Sequence, residues 1–180
     1  MTFLPTGCAP PDLAELDTFW TNARHSLTDV LLSDTYEVRW IGLDDETTRQ
    51  VIELIQIGDK TGTFTLPWIV ERTGQPEPAV GAPIILVDFD GHPQLLVRLT
   101  GIEEVPFGKI TAAHTAIDGT PVRALEVWKP LHTSYWNSML APHGLVVTDD
   151  MPVWVETFDL YYDPAKRRRH EASLKPDRER

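Results

Sequence analysis

The run Gly58-Asp59-Lys60-Thr61-Gly62-Thr63 places a lysine and two hydroxyls directly behind a glycine suited to stop a helix. A lysine in that position can donate to a phosphate or a carbonyl, act as a base once desolvation favours its neutral form, or stand in solvent as a loop charge. Farther on, Trp128, His132 and Trp136 recur every four residues and so share one helix face. An imidazole between two indoles is either a core histidine with a satisfied hydrogen bond or a base-stacking or acid/base group. His114 precedes Asp118 at a spacing that would suit a metal pair, but no matching set of Cys, His or carboxylate ligands accompanies it. No metal and no cofactor is expected. The Gly-x-Ser-x-Gly elbow and the nucleotide-cradling glycine loops are absent from the sequence.

The elements that must position these groups follow from periodicity. Leu13, Leu16, Phe19 and Trp20 predict an amphipathic helix running towards Leu27, and Tyr36 to Ile41 a short strand. Val51, Ile52 and Ile55 predict a helix capped by Asp45 and stopped at Gly58, so that Lys60 opens a turn. Residues 71–83 hold three prolines and two glycines and read as an exposed loop, a candidate lid over the Lys60 turn. Ile84 to Phe89 and Gln94 to Leu99 read as strands joined at Asp90-Gly91, a hairpin signal, with the second continuing through Ile102 and Val105. Ala124 to Leu140 has helical spacing, with Pro130 expected to kink or interrupt it. Val153, Val155, Phe158 and Leu160 mark a last strand whose broken alternation suggests a bulge. A strand-rich core with peripheral helices predicts an α+β fold built on a small closed barrel.

At 180 residues the chain suits one domain. Residues 1–34 read as an N-terminal extension and helix packing on the domain, 35–163 as the domain itself, and 164–180 as a basic, disordered tail. That tail holds seven Lys/Arg against three Asp/Glu, so with a total of −11 the preceding residues carry −15. A body this acidic repels the phosphate backbone and disfavours extended nucleic-acid binding, leaving the tail as the one electrostatic arm. The single cysteine, Cys8, excludes an internal disulfide and points to a reducing, cytoplasmic setting. Leu4 to Cys8 carries a trace of a lipoprotein cleavage site, but no basic segment or apolar run precedes it, so no export signal is expected. No stretch approaches the ~20 apolar residues of a membrane span.

Taken in order, the helix followed by Gly58-x-Lys60-Thr61-Gly62-Thr63, the Ile85 to Pro93 segment with its Asp90-Gly91-x-Pro93 turn, Val105-Pro106-Phe107, Trp128-x-x-x-His132 and the closing Thr148 to Phe158 resemble the ASCH domain family. The resemblance spans roughly residues 35 to 162 and implies a barrel similar to the PUA domain. That fold class is associated with RNA and modified-nucleoside recognition. It implies a ligand, RNA or a nucleoside- or nucleotide-like molecule, in a cleft beside the Lys60–Thr63 turn, with Lys60, Thr61, Thr63, Trp68 and His132 as binding residues.

Small amidohydrolases of the family act on an acetylated cytidine nucleoside, N4-acetylcytidine, and by that resemblance Lys60, Thr63 and Asp118 form a catalytic set. Thr63 would attack the amide carbonyl, neutral Lys60 would take its proton, and Asp118 would orient the lysine. Desolvation of Lys60 would have to outweigh the attraction of Asp118. Two positions depart from the family pattern. Asp118-Gly119 stands where Glu-Gly is usual, about 1 to 1.5 Å shorter unless the backbone compensates, and Thr65 stands where the amidohydrolases carry arginine. Binding is therefore the leading expectation, with amide hydrolysis, metal-independent RNA cleavage and a regulatory interaction module as the alternatives.

Overall fold

A computed structural model describes residues 7–28 and 32–166. Its elements are α1 (Leu13–Ser26), β1 (Glu37–Trp40), α2 (Asp45–Gln56), β2 (Gly62–Thr65), α3 (Pro67–Thr73), β3 (Pro83–Val87), β4 (Pro93–Pro106), α4 (Ala112–Thr115), α5 (Leu125–Leu140) and β5 (Pro152–Tyr162). Short 3-10 turns follow β4 at Phe107–Lys109 and α5 at Ala141–His143. The strands form one mixed sheet in the order β1-β3-β4-β5-β2, with β1 parallel to β3 and the other pairs antiparallel. Because β1 and β2 end the sheet and do not pair with each other, it curls into a half-barrel and does not close.

Every residue of β3 is buried, which its continuous apolar sequence requires of a strand covered on both faces. Side chains alternate across it. Ile84 and Leu86 pack with Ile52 and Ile55 of α2 on one face, while Ile85 and Val87 meet Leu16, Phe19, Trp20 and Ala23 of α1 on the other. Each large side chain that α1 buries contributes about 1.5–3 kcal/mol relative to leaving it in water. A third core forms where Trp128, Trp136 and Leu140 of α5 cover Val105, Phe107, Val153 and Val155. β5 touches all three layers, and the register shifts twice along β4–β5, with Tyr161 the extra residue in β5 at Leu96/Val97 and Thr100 the extra residue in β4 at Leu99/Gly101. The single bulge expected in the last strand thus lies beyond Leu160.

Several sequence expectations shift by small amounts. The cap of α2 is Asp44, one residue ahead of Asp45, because only from there can its carboxylate take the Thr47 N–H at 2.8 Å while the Thr47 hydroxyl takes the Asp44 N–H at 3.0 Å. Gly58 lies just past the helix at φ +78°, as a left-handed stop requires. Pro130 does not break α5. It lies on the exposed side, where the Glu126 carbonyl that loses its partner can be hydrated. The proline-rich loop begins only after α3 and ends fixed to β4, with Gly81 N–H donating to Leu99 O at 2.8 Å and Arg98 Nε to Gly81 O at 3.1 Å. Among the described residues it makes no hydrogen bond to the Lys60 turn. The basic tail from Arg167 onward lies outside the described residues.

β2 approaches its neighbours so closely that Gly62 tolerates no side chain. A Cβ there would sit 2.4 Å from the Glu156 carbonyl oxygen and 2.4 Å from Ile117 Cδ1. Gly62→Ala is therefore expected to push β2 off β5 and cost ~1–3 kcal/mol. A denaturant melt that matched wild type would show that the β2–β5 gap admits a methyl group.

Candidate functional site

The end of α2 delivers the Lys60 turn in a fixed position. Leu54 O accepts from both Asp59 N at 2.8 Å and Lys60 N at 3.1 Å, and Ile55 O accepts from Gly58 N at 3.0 Å, so these two carbonyls near the end of the helix are satisfied. Lys60 then forms an isolated antiparallel bridge with Asp118. Thr61 continues the stitching, its N–H donating to Ile117 O and its carbonyl accepting from Phe158 N, both at 2.9 Å. A segment 58 residues away in sequence is thus held against the turn by backbone pairing.

That pairing places the Lys60 ammonium in direct contact with Asp118 Oδ1, with side chains only 4% and 10% exposed. The backbone bridge brings the shorter aspartate side chain within reach of Lys60, and glycine at 119 leaves room for that close approach. Gly119 sits at φ +80°, and a Cβ on it would lie 3.2 Å from Lys60 Cβ and 3.2 Å from Leu54 Cδ1. A second clasp flanks the first. Asp59 Oδ2 accepts from Thr120 N at 2.8 Å, and Oδ1 contacts the Arg123 guanidinium.

His132 adjoins this pair from α5. Its ring stacks on Trp128 at 4.0 Å and 18° and meets Phe64 and Trp136 edge-on. Nδ1 lies 3.0 Å from Trp128 O, an acceptor only, so the neutral ring carries its proton there and leaves a lone pair on Nε2. Nε2 is 3.8 Å from Asp118 Oδ2, beyond hydrogen-bond range, and the two side chains are 15% and 10% exposed. Burial lowers the His132 pKa to about 4; Asp118 and the Trp128 carbonyl oppose that shift, and Lys60 adds to it. At neutral pH the imidazole is uncharged.

The structure therefore brings Lys60, Asp118 and His132 together. Thr63 lies on β2 directly across from Glu156, and among the described residues its hydroxyl bonds to neither Lys60 nor Asp118. Thr61 is exposed beside Lys60. Trp68, near the start of α3, is partly buried against the Trp128 core. His114 is occupied at the start of α4, where Nδ1 accepts from Thr111 N at 3.0 Å.

Sequence reasoning passed over Glu156 and Arg39. Glu156 is fully buried on β5, with Oε2 2.7 Å from Arg39 Nη1 of β1. Arg39 also binds Glu37 at 2.8 Å. Its burial opposes the charge, but Glu156 and then Glu37 outweigh it, so the Arg39 pKa is raised. The signal was present in phase alone: 156, 158 and 160 alternate together, and Phe158 and Leu160 face the α2 core.

A family model described as the ASCH domain matches residues 39–162. Among solved structures, the chain superposes with a TM-score of 0.73 on an ASCH domain from Lactobacillus crispatus JV V101, at 18% identity over 83% of this chain and 95% of that one. It superposes equally, at 0.73, on a protein of Enterococcus faecalis V583, at 22% identity over 93% of this chain and 100% of that one. No curated protein matches it.

The Lys60–Asp118 contact makes a sharp energetic prediction. Removing one buried partner strands the other charge, so Lys60→Met or Asp118→Asn should each cost ~3–5 kcal/mol, and the double variant much less than the sum. Additive losses in urea melts would show that the two charges do not depend on each other. His132 predicts a pH effect of definite sign. Its folded pKa lies below its unfolded one, so its contribution is complete above about pH 6.5 and is lost as pH falls towards 4, when the unfolded chain takes up the proton first. Relative to His132→Gln, wild type should lose roughly 3 kcal/mol between pH 7 and 4; parallel stability profiles for the two proteins would contradict the buried, neutral imidazole.

Proposed function

The chain belongs to the ASCH domain family, and on that premise we propose that it binds a nucleoside- or nucleotide-like molecule, or one exposed RNA base, in the cleft beside the Lys60–Thr63 turn. The observation that carries this reading is the set of polar atoms on Lys60, Asp118 and His132. Lys60 has ammonium protons beyond the one directed at Asp118, and Asp118 Oδ2 and His132 Nε2 offer acceptors 3.8 Å apart. Donors and acceptors at that spacing, on side chains 4–15% exposed in an otherwise apolar wall, suit the edge of a heterocycle. The acidic body argues for one base or nucleoside and against a long run of phosphates.

Geometry favours binding over amide hydrolysis. A threonine nucleophile needs a base within hydrogen-bond reach, and Thr63 has neither Lys60 nor Asp118 bonded to its hydroxyl. Lys60 is instead engaged by the Asp118 carboxylate.

A thermal-shift screen of nucleosides and nucleotides tests the reading, since a ligand selective for the folded state raises its melting temperature. A binder should emerge whose affinity falls by about 1.5–3 kcal/mol in Lys60→Ala, the worth of one charge-assisted hydrogen bond. Each variant is compared with its own ligand-free melt, because the substitution also weakens the fold. Acylated cytidine should remain intact with wild type. Turnover that Thr63→Ala abolishes would replace the binding reading with the amidohydrolase one.

A further inference from the structure

Four buried side-chain polar atoms of the described residues have no partner, and Glu156 Oε1 is the one anionic acceptor among them. Its side chain is fully buried, and only Oε2 is paired, to Arg39 at 2.7 Å. The other Arg39 contacts run to Glu37 Oε2, from Nε at 3.1 Å and from Nη2 at 2.8 Å, so nothing from Arg39 serves Oε1. A carboxylate oxygen taken out of water without a donor is costly. The same cost makes it selective, because a ligand that brings an N–H recovers the loss and one that brings another lone pair adds repulsion.

Its position links this acceptor to the Lys60 turn. Glu156 stands across β5–β2 from Thr63, whose hydroxyl makes no hydrogen bond among the described residues, and Thr63 follows Lys60 by three residues. Arg39 and Glu37 are each 23% exposed and Thr63 is half-buried, so the groups bordering Glu156 on the β1 and β2 sides reach the surface.

We propose that Glu156 is the specificity-determining acceptor of the site, with Oε1 receiving an N–H from an exocyclic amine and the Thr63 hydroxyl donating to the adjacent ring nitrogen. This rests on the nucleoside-binding reading and narrows it. Cytosine- and adenine-type edges present an amine beside an unprotonated ring nitrogen. Uracil- and hypoxanthine-type edges present a carbonyl beside an N–H, which sets lone pair against lone pair at Oε1.

The test is calorimetric binding of cytidine, uridine, adenosine and inosine to the full chain at fixed salt, for wild type and E156Q. Wild type should bind the amino member of at least one pair about tenfold or more tighter than its keto counterpart. In E156Q, Arg39 retains the amide oxygen and the amide N–H2 takes the place of Oε1, so the preference should invert. A loss of affinity common to all four nucleosides would mark Glu156 as merely structural. Equal wild-type binding of amino and keto members overturns the role of Glu156 and leaves the binding reading intact, whereas binding of none removes both. If E156Q does not fold, the wild-type comparison decides alone.

Discussion

The contact between Lys60 and Asp118 constrains more of this molecule than any other single interaction. Two charges have been taken almost wholly out of water, and neither is tolerable without the other. Keeping them together requires that the end of α2, the start of β2 and the 117–123 segment hold one arrangement. The surroundings meet that demand through the Leu54 carbonyl under Asp59 and Lys60, the backbone bridge from Lys60 to Asp118, and the Asp59–Arg123 clasp beside it. Glycines at 58, 62 and 119 appear where the chain reverses or packs backbone against backbone. His132 is neutral for the same reason that the ion pair is strong, namely that the wall formed by Phe64, Trp128 and Trp136 excludes water.

The unclosed sheet creates a second demand. With β1 and β2 at opposite edges, the hydrogen-bond ladder cannot join them, and a side chain crosses instead. Arg39 reaches from β1 to Glu156 on β5, the strand beside β2. A planar guanidinium with several donors suits this task better than lysine would, since it can hold Glu37 and Glu156 at once. The arrangement leaves one Glu156 oxygen unpaired on the strand position opposite Thr63.

Local physics made most of the elements legible, because α1, α2, β4 and α5 carry a periodicity that one face of packing enforces and β3 is a continuous apolar run. What local physics does not contain is pairing. Nothing near Lys60 indicates that residue 118 will oppose it, and the order of motifs along the chain was needed to join them. Closure failed for a related reason: five strands suit a barrel, but whether the edges meet depends on twist and register accumulated over the whole sheet. The cap of α2 was displaced by one because adjacent aspartates compete and the position of Thr47 decides between them. Glu156 was missed because a charged residue in a strand is ordinarily read as solvent-facing, although its phase with Phe158 and Leu160 pointed inward.

Charge distribution limits what a cleft of this kind can hold. Lys60 and Asp118 cancel and His132 adds nothing at neutral pH, while Arg39 with Glu37 and Glu156 leaves one net negative charge. Together with an acidic body, these groups offer a phosphate little net positive charge. The lysine that might have gripped one is already engaged. The site is therefore poor in attraction at long range and rich in directional groups at short range, and under the proposed reading this combination would discriminate among uncharged heterocycles by the pattern of their donors and acceptors. A partner that is an RNA would have to present one unstacked base to the cleft while its backbone stayed clear of the acidic surface, a geometry found at loops and bulges and not along a helix.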